Sequence, residues 1–308
     1  MLFTSSESTK INDKENARVC SACGNSVHSL FSKEGSDSSI YAIEECTGCG
    51  LWQVYPRPTA EELEKLYTGS YFHARTDRGY ADYASEAVKK SIVYTLEKNL
   101  RDLKFYDWEK NLGSLKKVLD IGCAAGHAVE WFNQHGWCGE GIDVAPEMVA
   151  IGKSRNLKLH QGDFLTTPFK SHSFDLVTLW ASIEHLPEPG EFFRRISRIL
   201  KPGGKLYIST CHLGFFARFQ GQNWRYLNVP EHLYYFTKDS LRDWASRYGL
   251  QMQRSFTYGS GLTSRENPDL MFKFSKTVFD EMARHFHLGD MIVAEFENLP
   301  ASSGATAT

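Results

Sequence analysis

No stretch of this sequence approaches the roughly 20 consecutive apolar residues that a membrane-spanning helix needs, so no membrane association is expected. Charge of one sign is also lacking: 35 Lys and Arg stand against 37 Asp and Glu, for a formal net charge of -2. No general field therefore draws the chain to nucleic acid or anionic lipid. The opening residues, Met1 to Glu15, lack the apolar core of a secretion signal, so export is not expected and the cytoplasm is the expected compartment. No internal repeat is evident. A disulfide framework is not indicated either. There are 7 cysteines, an odd number, and four of them form two Cys-x-x-Cys pairs, which in a reducing compartment favours metal.

The pairs are Cys20-Ser21-Ala22-Cys23-Gly24 and Cys46-Thr47-Gly48-Cys49-Gly50. Each turn lets two thiolates face one cation, and the glycine relieves the backbone on leaving it. Cys20, Cys23, Cys46 and Cys49 would close a tetrahedral zinc shell with no open position, a structural rather than catalytic site. Cys123, Cys138 and Cys211 have no such spacing and read as small apolar or loop residues.

Residues 1–16 are expected to form a disordered tail, 17–57 a zinc-ribbon domain, 58–112 a helical linker or cap, 113–300 the main domain and 301–308 a second tail. In the ribbon, Ile40 to Ile43 and Leu51 to Tyr55 read as strands, ended by Pro56-Arg57-Pro58. Thr59-Ala60-Glu61-Glu62 then matches a capping box. From Tyr80 to about Asn111 an apolar stripe of Val88, Ile92, Leu96, Leu100 and Leu103 predicts one helix.

From Leu115 onward strands alternate with helices. Strands are predicted at Lys117–Ile121, Gly139–Asp143, Leu157–His160, Phe174–Leu179 and Lys205–Ser209. Helices are predicted from His127, Pro146 and Gly190. Such alternation predicts an α/β, doubly wound Rossmann-like sheet that binds ligands at the carboxyl ends of its strands. A helix from Asp239, a strand near Gln251–Thr257, a helix over Pro268–His287 and a strand over Met291–Phe296 complete the pattern.

The ligand turn is Asp120-Ile121-Gly122-Cys123-Ala124-Ala125-Gly126. Gly122 and Gly126 allow a sharp turn with a ligand lying against it. No Lys-Ser/Thr follows, so it is not a P-loop. The carboxylate ahead of the first glycine would repel a pyrophosphate but suits a ligand carrying an ammonium and a sulfonium.

This turn resembles the acid-x-Gly-x-Gly-x-Gly motif of the class I S-adenosylmethionine-dependent methyltransferases, with Ala124 at the usual middle glycine. Asp143, Gln161-Gly162-Asp163-Phe164, Phe174-Asp175-Leu176-Val177 and Leu200-Lys201-Pro202-Gly203-Gly204 resemble the later motifs, in order. The resemblance covers about Leu115 to Thr210. It implies a mostly parallel sheet with an antiparallel last strand. The implied cofactor contacts are Asp120, Gly122, Cys123, Ala124 and Gly126 from the turn, and Asp143, with Val144 beside it, at the ribose. Asp163 and Phe164 would meet the adenine. Trp180, at the end of the fourth strand, either lines the cofactor pocket or belongs to the core.

Two His-bearing segments follow later strands: Ile183-Glu184-His185-Leu186-Pro187 and Pro230-Glu231-His232-Leu233. Together with the cysteine pairs and Tyr71-Phe72 they resemble the deoxysugar C-methyltransferase subgroup. That resemblance implies His232 as base, Glu231 as its neighbour or a substrate contact, His185 as a second polar group and Tyr71 as a residue closing over the site. The sugar enzymes carry a large further C-terminal domain that this sequence does not match, which leaves the acceptor class open. Phe215, Phe216, Phe219 and Trp224 either wall an apolar cavity or bury an insertion.

The expected function is methyl transfer from S-adenosylmethionine to a small-molecule acceptor, sugar-like or another metabolite, at oxygen or carbon, with zinc as a structural cofactor. The rivals are an RNA- or protein-directed methyltransferase and a non-catalytic cofactor-binding scaffold. Nucleic acid is disfavoured because residues 17–57 are not basic. Oligomeric state is not legible.

Overall fold

The computed structural model describes residues 18–59, 62–63, 85–259 and 269–299. Two sheets organise them. The larger has seven strands, in chain order β4 (Lys116–Ile121), β5 (Trp137–Asp143), β6 (Leu159–Gln161), β7 (Phe174–Trp180), β8 (Leu200–Cys211), β10 (Leu250–Tyr258) and β11 (Met291–Asn298). Their spatial order is β10-β11-β8-β7-β4-β5-β6. Pairings from β6 through β8 are parallel, while β11 runs antiparallel to both β8 and β10. The order reverses at β4, so β4 and β7 flank the topological switch point where such sheets bind ligands.

The central strands are buried on both faces and accordingly apolar: Val118, Leu119, Leu176, Val177, Leu179, Leu206 and Ile208 are inaccessible to solvent. Each such side chain stabilises the fold by about 1.5–3 kcal/mol, as an upper bound. Helices α1 (Glu86–Asp102), α2 (Phe105–Glu109), α3 (His127–Gln134), α4 (Pro146–Ser154) and α5 (Pro189–Ile199) precede or link the parallel strands. The helix expected as one piece to Asn111 is broken. Lys104 takes φ 55°, a left-handed conformation that ends α1 and starts α2, and Phe105 turns into an aromatic cluster with Trp131, Phe132 and Trp137. Tertiary packing of one aromatic ring overrides the helical stripe there. Further helices among the described residues are α6 (Phe215–Gln220), α7 (Lys238–Ser246) and α8 (Leu270–His285).

The smaller sheet has the order β1 (Val27–Glu34), β2 (Ile40–Cys46), β3 (Trp52–Tyr55), β9 (Tyr234–Tyr235). Its first strand escaped the sequence pattern, because Val27 to Glu34 alternates only weakly and is half exposed. Its last strand comes from the segment that also carries His232. The N-terminal hairpins are thus built onto the main sheet's own chain. Trp224 lies in the core under these hairpins with Ile43, Trp52, Val54 and Tyr235. Phe215 and Phe219 stack on one another and stay exposed, so only part of that aromatic group buries the insertion. At Thr59 the capping box is made: Thr59 N donates to Glu62 Oε2 at 2.7 Å, and Glu62 N donates to Thr59 Oγ1 at 3.3 Å. Among the described residues no helix is long and apolar enough to cross a membrane.

Candidate active site and metal site

The glycine turn leaves β4 at its carboxyl end. Gly122 has φ +72°, and a Cβ there would sit 2.8 Å from Ser182 Cβ, so only glycine fits. Ala124, at the motif's middle position, takes φ 44°, a conformation that costs a non-glycine residue about 1–2 kcal/mol. It is held by Asp143: Ala124 N donates to Asp143 Oδ2 at 2.7 Å, and Ala145 N donates to Oδ1 at 2.9 Å. The carboxylate is thereby aimed from the end of β5, and each oxygen retains a lone pair for a further donor. Burial raises the pKa of Asp143, and these backbone N–H groups oppose that rise. Val144 next to it is exposed.

Asp120 is buried behind the turn and accepts from Thr178 Oγ1 at 2.7 Å. Burial, with a smaller contribution from the Asp143 charge, raises its pKa to about 7. A buried cationic ligand would reverse that shift. Cys123 points into the core among Val129, Val149, Leu157 and Leu159, so its thiol is structural. Gly126 starts α3, where Arg155 ties the turn together by donating to Ala125 O and to Glu130 Oε2.

Asp163 is exposed and accepts from Leu165 N at 2.8 Å, the geometry of a turn. Phe164 is buried against Phe192 and Phe169. Its ring packs on Phe192 of α5 and is part of the core. Trp180 is half-buried at the end of β7. Tyr71 lies outside the described residues.

The second group of polar residues gathers at the carboxyl ends of β7 and β8. A 3₁₀ turn over Ile183–His185 follows β7. His185 and His232 meet edge to face with ring centroids 4.6 Å apart. His185 Nδ1 lies 2.8 Å from the Glu231 carbonyl oxygen. A carbonyl only accepts, so Nδ1 carries a proton and donates it. Glu184, buried at the same turn, accepts from Thr210 Oγ1 at 2.8 Å. Its carboxyl pKa is raised by burial. His232 is buried with its Nδ1 3.9 Å from Cys211 Sγ. Glu231 is 1% exposed and accepts from Ser36 Oγ at 2.9 Å. Sequence reasoning assigned no role to Glu184, Thr210 or Ser36. Glu184 could have been found from its place beside His185; Ser36 carries no local signal.

The four cysteines of the N-terminal part do converge. Their sulfurs all lie within 4.8 Å of one another, with Cys20–Cys49 at 3.7 Å and Cys23–Cys46 at 3.2 Å. A tetrahedral zinc with bonds of about 2.3 Å places sulfurs about 3.8 Å apart, so the set fits a zinc ion. Gly48 N and Cys49 N donate to Cys46 Sγ at 3.3 and 3.4 Å, as expected around a thiolate held in a knuckle.

The fold and the turn define a class I methyltransferase architecture. The chain belongs to the methyltransferase domain family, whose model matches residues 82–255. Among curated relatives, the ubiquinone biosynthesis O-methyltransferase of Coxiella burnetii is 26% identical over 150 residues, 44% of this chain and 64% of that protein. The protein of the same name from Xanthomonas oryzae is 37% identical over 103 residues, 31% of this chain and 43% of that one. The chain thus spans less than two thirds of these relatives' length. Among solved structures, a Galdieria sulphuraria protein described as a sarcosine dimethylglycine methyltransferase aligns with TM-score 0.52 and 17% identity, over 77% of this chain and 98% of that one. The [4+2]-cyclase SpnF aligns with TM-score 0.51 and 16% identity, over 80% and 99%. These likenesses establish the fold; a cyclase among them illustrates that chemistry is decided at the site.

Proposed function

We propose that this chain transfers the methyl group of S-adenosylmethionine to a small-molecule acceptor at the ends of β7 and β8, with zinc on the four cysteines as a structural ion. The observation that carries this reading is the pairing of a glycine turn, held by Asp143 and backed by Asp120, with a polar cluster of Glu184, His185 and His232 at the same carboxyl edge of the sheet. The curated relatives of similar sequence are named as O-methyltransferases of a small-molecule pathway, which favours a hydroxyl over a carbon acid as acceptor.

Asp143 would accept from the ribose hydroxyls, and Asp120, once ionised, would offset the cofactor's positive charge. The sulfonium is already a good leaving group, so the chain's task is alignment and removal of the acceptor's proton. The cluster containing His185 and His232 is where that proton would leave. Titration calorimetry with S-adenosylhomocysteine tests the reading: one-to-one binding that supports turnover of hydroxylated acceptors is expected. Folded protein that binds no cofactor would refute it.

A further inference from the structure

Glu184, His185 and His232 come from two separate segments, yet one ligand atom from each lies within 4.8 Å of the other two. We infer that these three residues form a second metal site, for a divalent first-row cation, at the acceptor end of the fold. This inference rests on the methyl-transfer reading and specifies how the acceptor is held.

Three features support it. The donor set is two imidazoles and one carboxylate, which suits Mn²⁺, Fe²⁺, Co²⁺ or Zn²⁺ and leaves further coordination positions open. Two of the three donors are also oriented from behind. His185 donates its Nδ1 proton to the Glu231 carbonyl at 2.8 Å, which leaves Nε2 as the ligand atom, and Thr210 Oγ1 holds Glu184 Oε2 at 2.8 Å. A carbonyl behind a histidine and a hydroxyl behind a carboxylate are the outer contacts that metal ligands commonly have. The backbone then fixes the two segments to one another: Leu233 N donates to Glu184 O at 2.8 Å. Glu184 and His232 are buried and His185 is half-buried. The site is distinct from the cysteine site, whose four ligands are all sulfur.

A hydroxyl bound to such a cation ionises more readily. Its O–H bond breaks and the proton passes to solvent water. The resulting oxygen then forms the O–CH₃ bond as the S–CH₃ bond breaks, the electron pair remaining on sulfur to give S-adenosylhomocysteine. The ligand class is therefore a divalent cation together with a hydroxylated acceptor that binds it.

The test is titration of zinc-loaded, full-length protein with Mn²⁺, free ion being read by electron paramagnetic resonance. Mn²⁺ prefers oxygen and nitrogen donors and would not displace zinc from four thiolates. One Mn²⁺ per chain is expected. Glu184→Gln and His185→Ala should each weaken it by at least about tenfold, while S-adenosylhomocysteine affinity, read by calorimetry on the same variants, stays within about threefold and reports that they fold. Absence of bound Mn²⁺, or equal Mn²⁺ binding by wild type and both variants, overturns the site. If the homocysteine product binds but Mn²⁺ does not, the ion site alone fails and direct proton removal by a histidine replaces it. If the product does not bind, the methyl-transfer reading fails.

Discussion

Ser36 Oγ donates to Glu231 Oε1 at 2.9 Å across 195 residues of sequence. Ser36 lies between β1 and β2 of the N-terminal hairpin, and Glu231 stands beside His232. The contact is one of several. Ser36 N donates to Val229 O, Val54 N donates to Leu233 O, and Thr237 Oγ1 donates to Cys49 O. Arg247 donates to Ala22 O between the two cysteines of the first knuckle. The cysteine-bearing hairpins thus form one wall of the segment that presents His232.

Loss of the proposed zinc should therefore reach the proposed acceptor end. With the metal stripped, or in Cys46→Ser, turnover is expected to fall by at least about tenfold, because a structural zinc site contributes folding energy to the part it closes. Affinity for S-adenosylhomocysteine should change by less than about threefold, since the glycine turn and Asp143 are held by β4 and β5. Turnover and calorimetry on the same preparation check this. Equal loss of both would mean that the ribbon supports the whole sheet.

Asp143→Ala should weaken cofactor binding by about a hundredfold or more, the effect of two charge-assisted hydrogen bonds. It also removes the acceptor of Ala124 N and Ala145 N, so some loss of stability will accompany it. Asp143→Asn keeps one carbonyl acceptor and separates the two effects: its melting temperature should lie nearer to wild type while its affinity remains weak. Calorimetry and thermal melts measure the pair.

The parallel core was legible in the sequence because its signals are local. A β-branched run, a glycine turn and a helix start fall within a dozen residues at Val118 to His127. Asp143 was legible for the same reason, as the acid ending a strand. What was not legible depends on contacts far apart in sequence. The break at Lys104 follows from Phe105 seeking Trp131, Phe132 and Trp137. The burial of Phe164 follows from α5. Strand β9 is two residues long and is defined by pairing with Trp52 and Gln53. Glu184 stands beside His185 in the sequence, but its approach to His232 is made by the fold.

The turn itself makes opposite demands at two neighbouring positions. Gly122→Ala should destabilise the fold by at least about 1–2 kcal/mol from its left-handed conformation alone, and by more because the new Cβ would meet Ser182 Cβ at 2.8 Å. Ala124→Gly relieves a left-handed alanine, φ 44°, while adding freedom to the unfolded chain, so the two effects nearly cancel. Its melting temperature is expected within about 3 °C of wild type, with cofactor affinity retained. Thermal denaturation of both variants decides whether this backbone geometry governs the site.

Asp120 supplies a pH dependence whose sign follows from its burial. Its folded-state pKa is about 7 against an ordinary value of 3.8. Between those values the unfolded chain releases its proton while the folded chain keeps it, so stability falls as pH rises from about 4 to about 7 and levels off above. Asp120→Asn removes this contribution: the variant should gain stability relative to wild type as pH is raised through that window. Cofactor binding runs the other way. A cationic ligand prefers the ionised carboxylate, so S-adenosylmethionine affinity should rise with pH up to about 7, by at most about tenfold per unit. Paired melts and calorimetric titrations at several pH values test both slopes. If wild type and Asp120→Asn show the same pH dependence of affinity, Asp120 does not sense the cofactor's charge, and its role is confined to the hydrogen bond it accepts from Thr178.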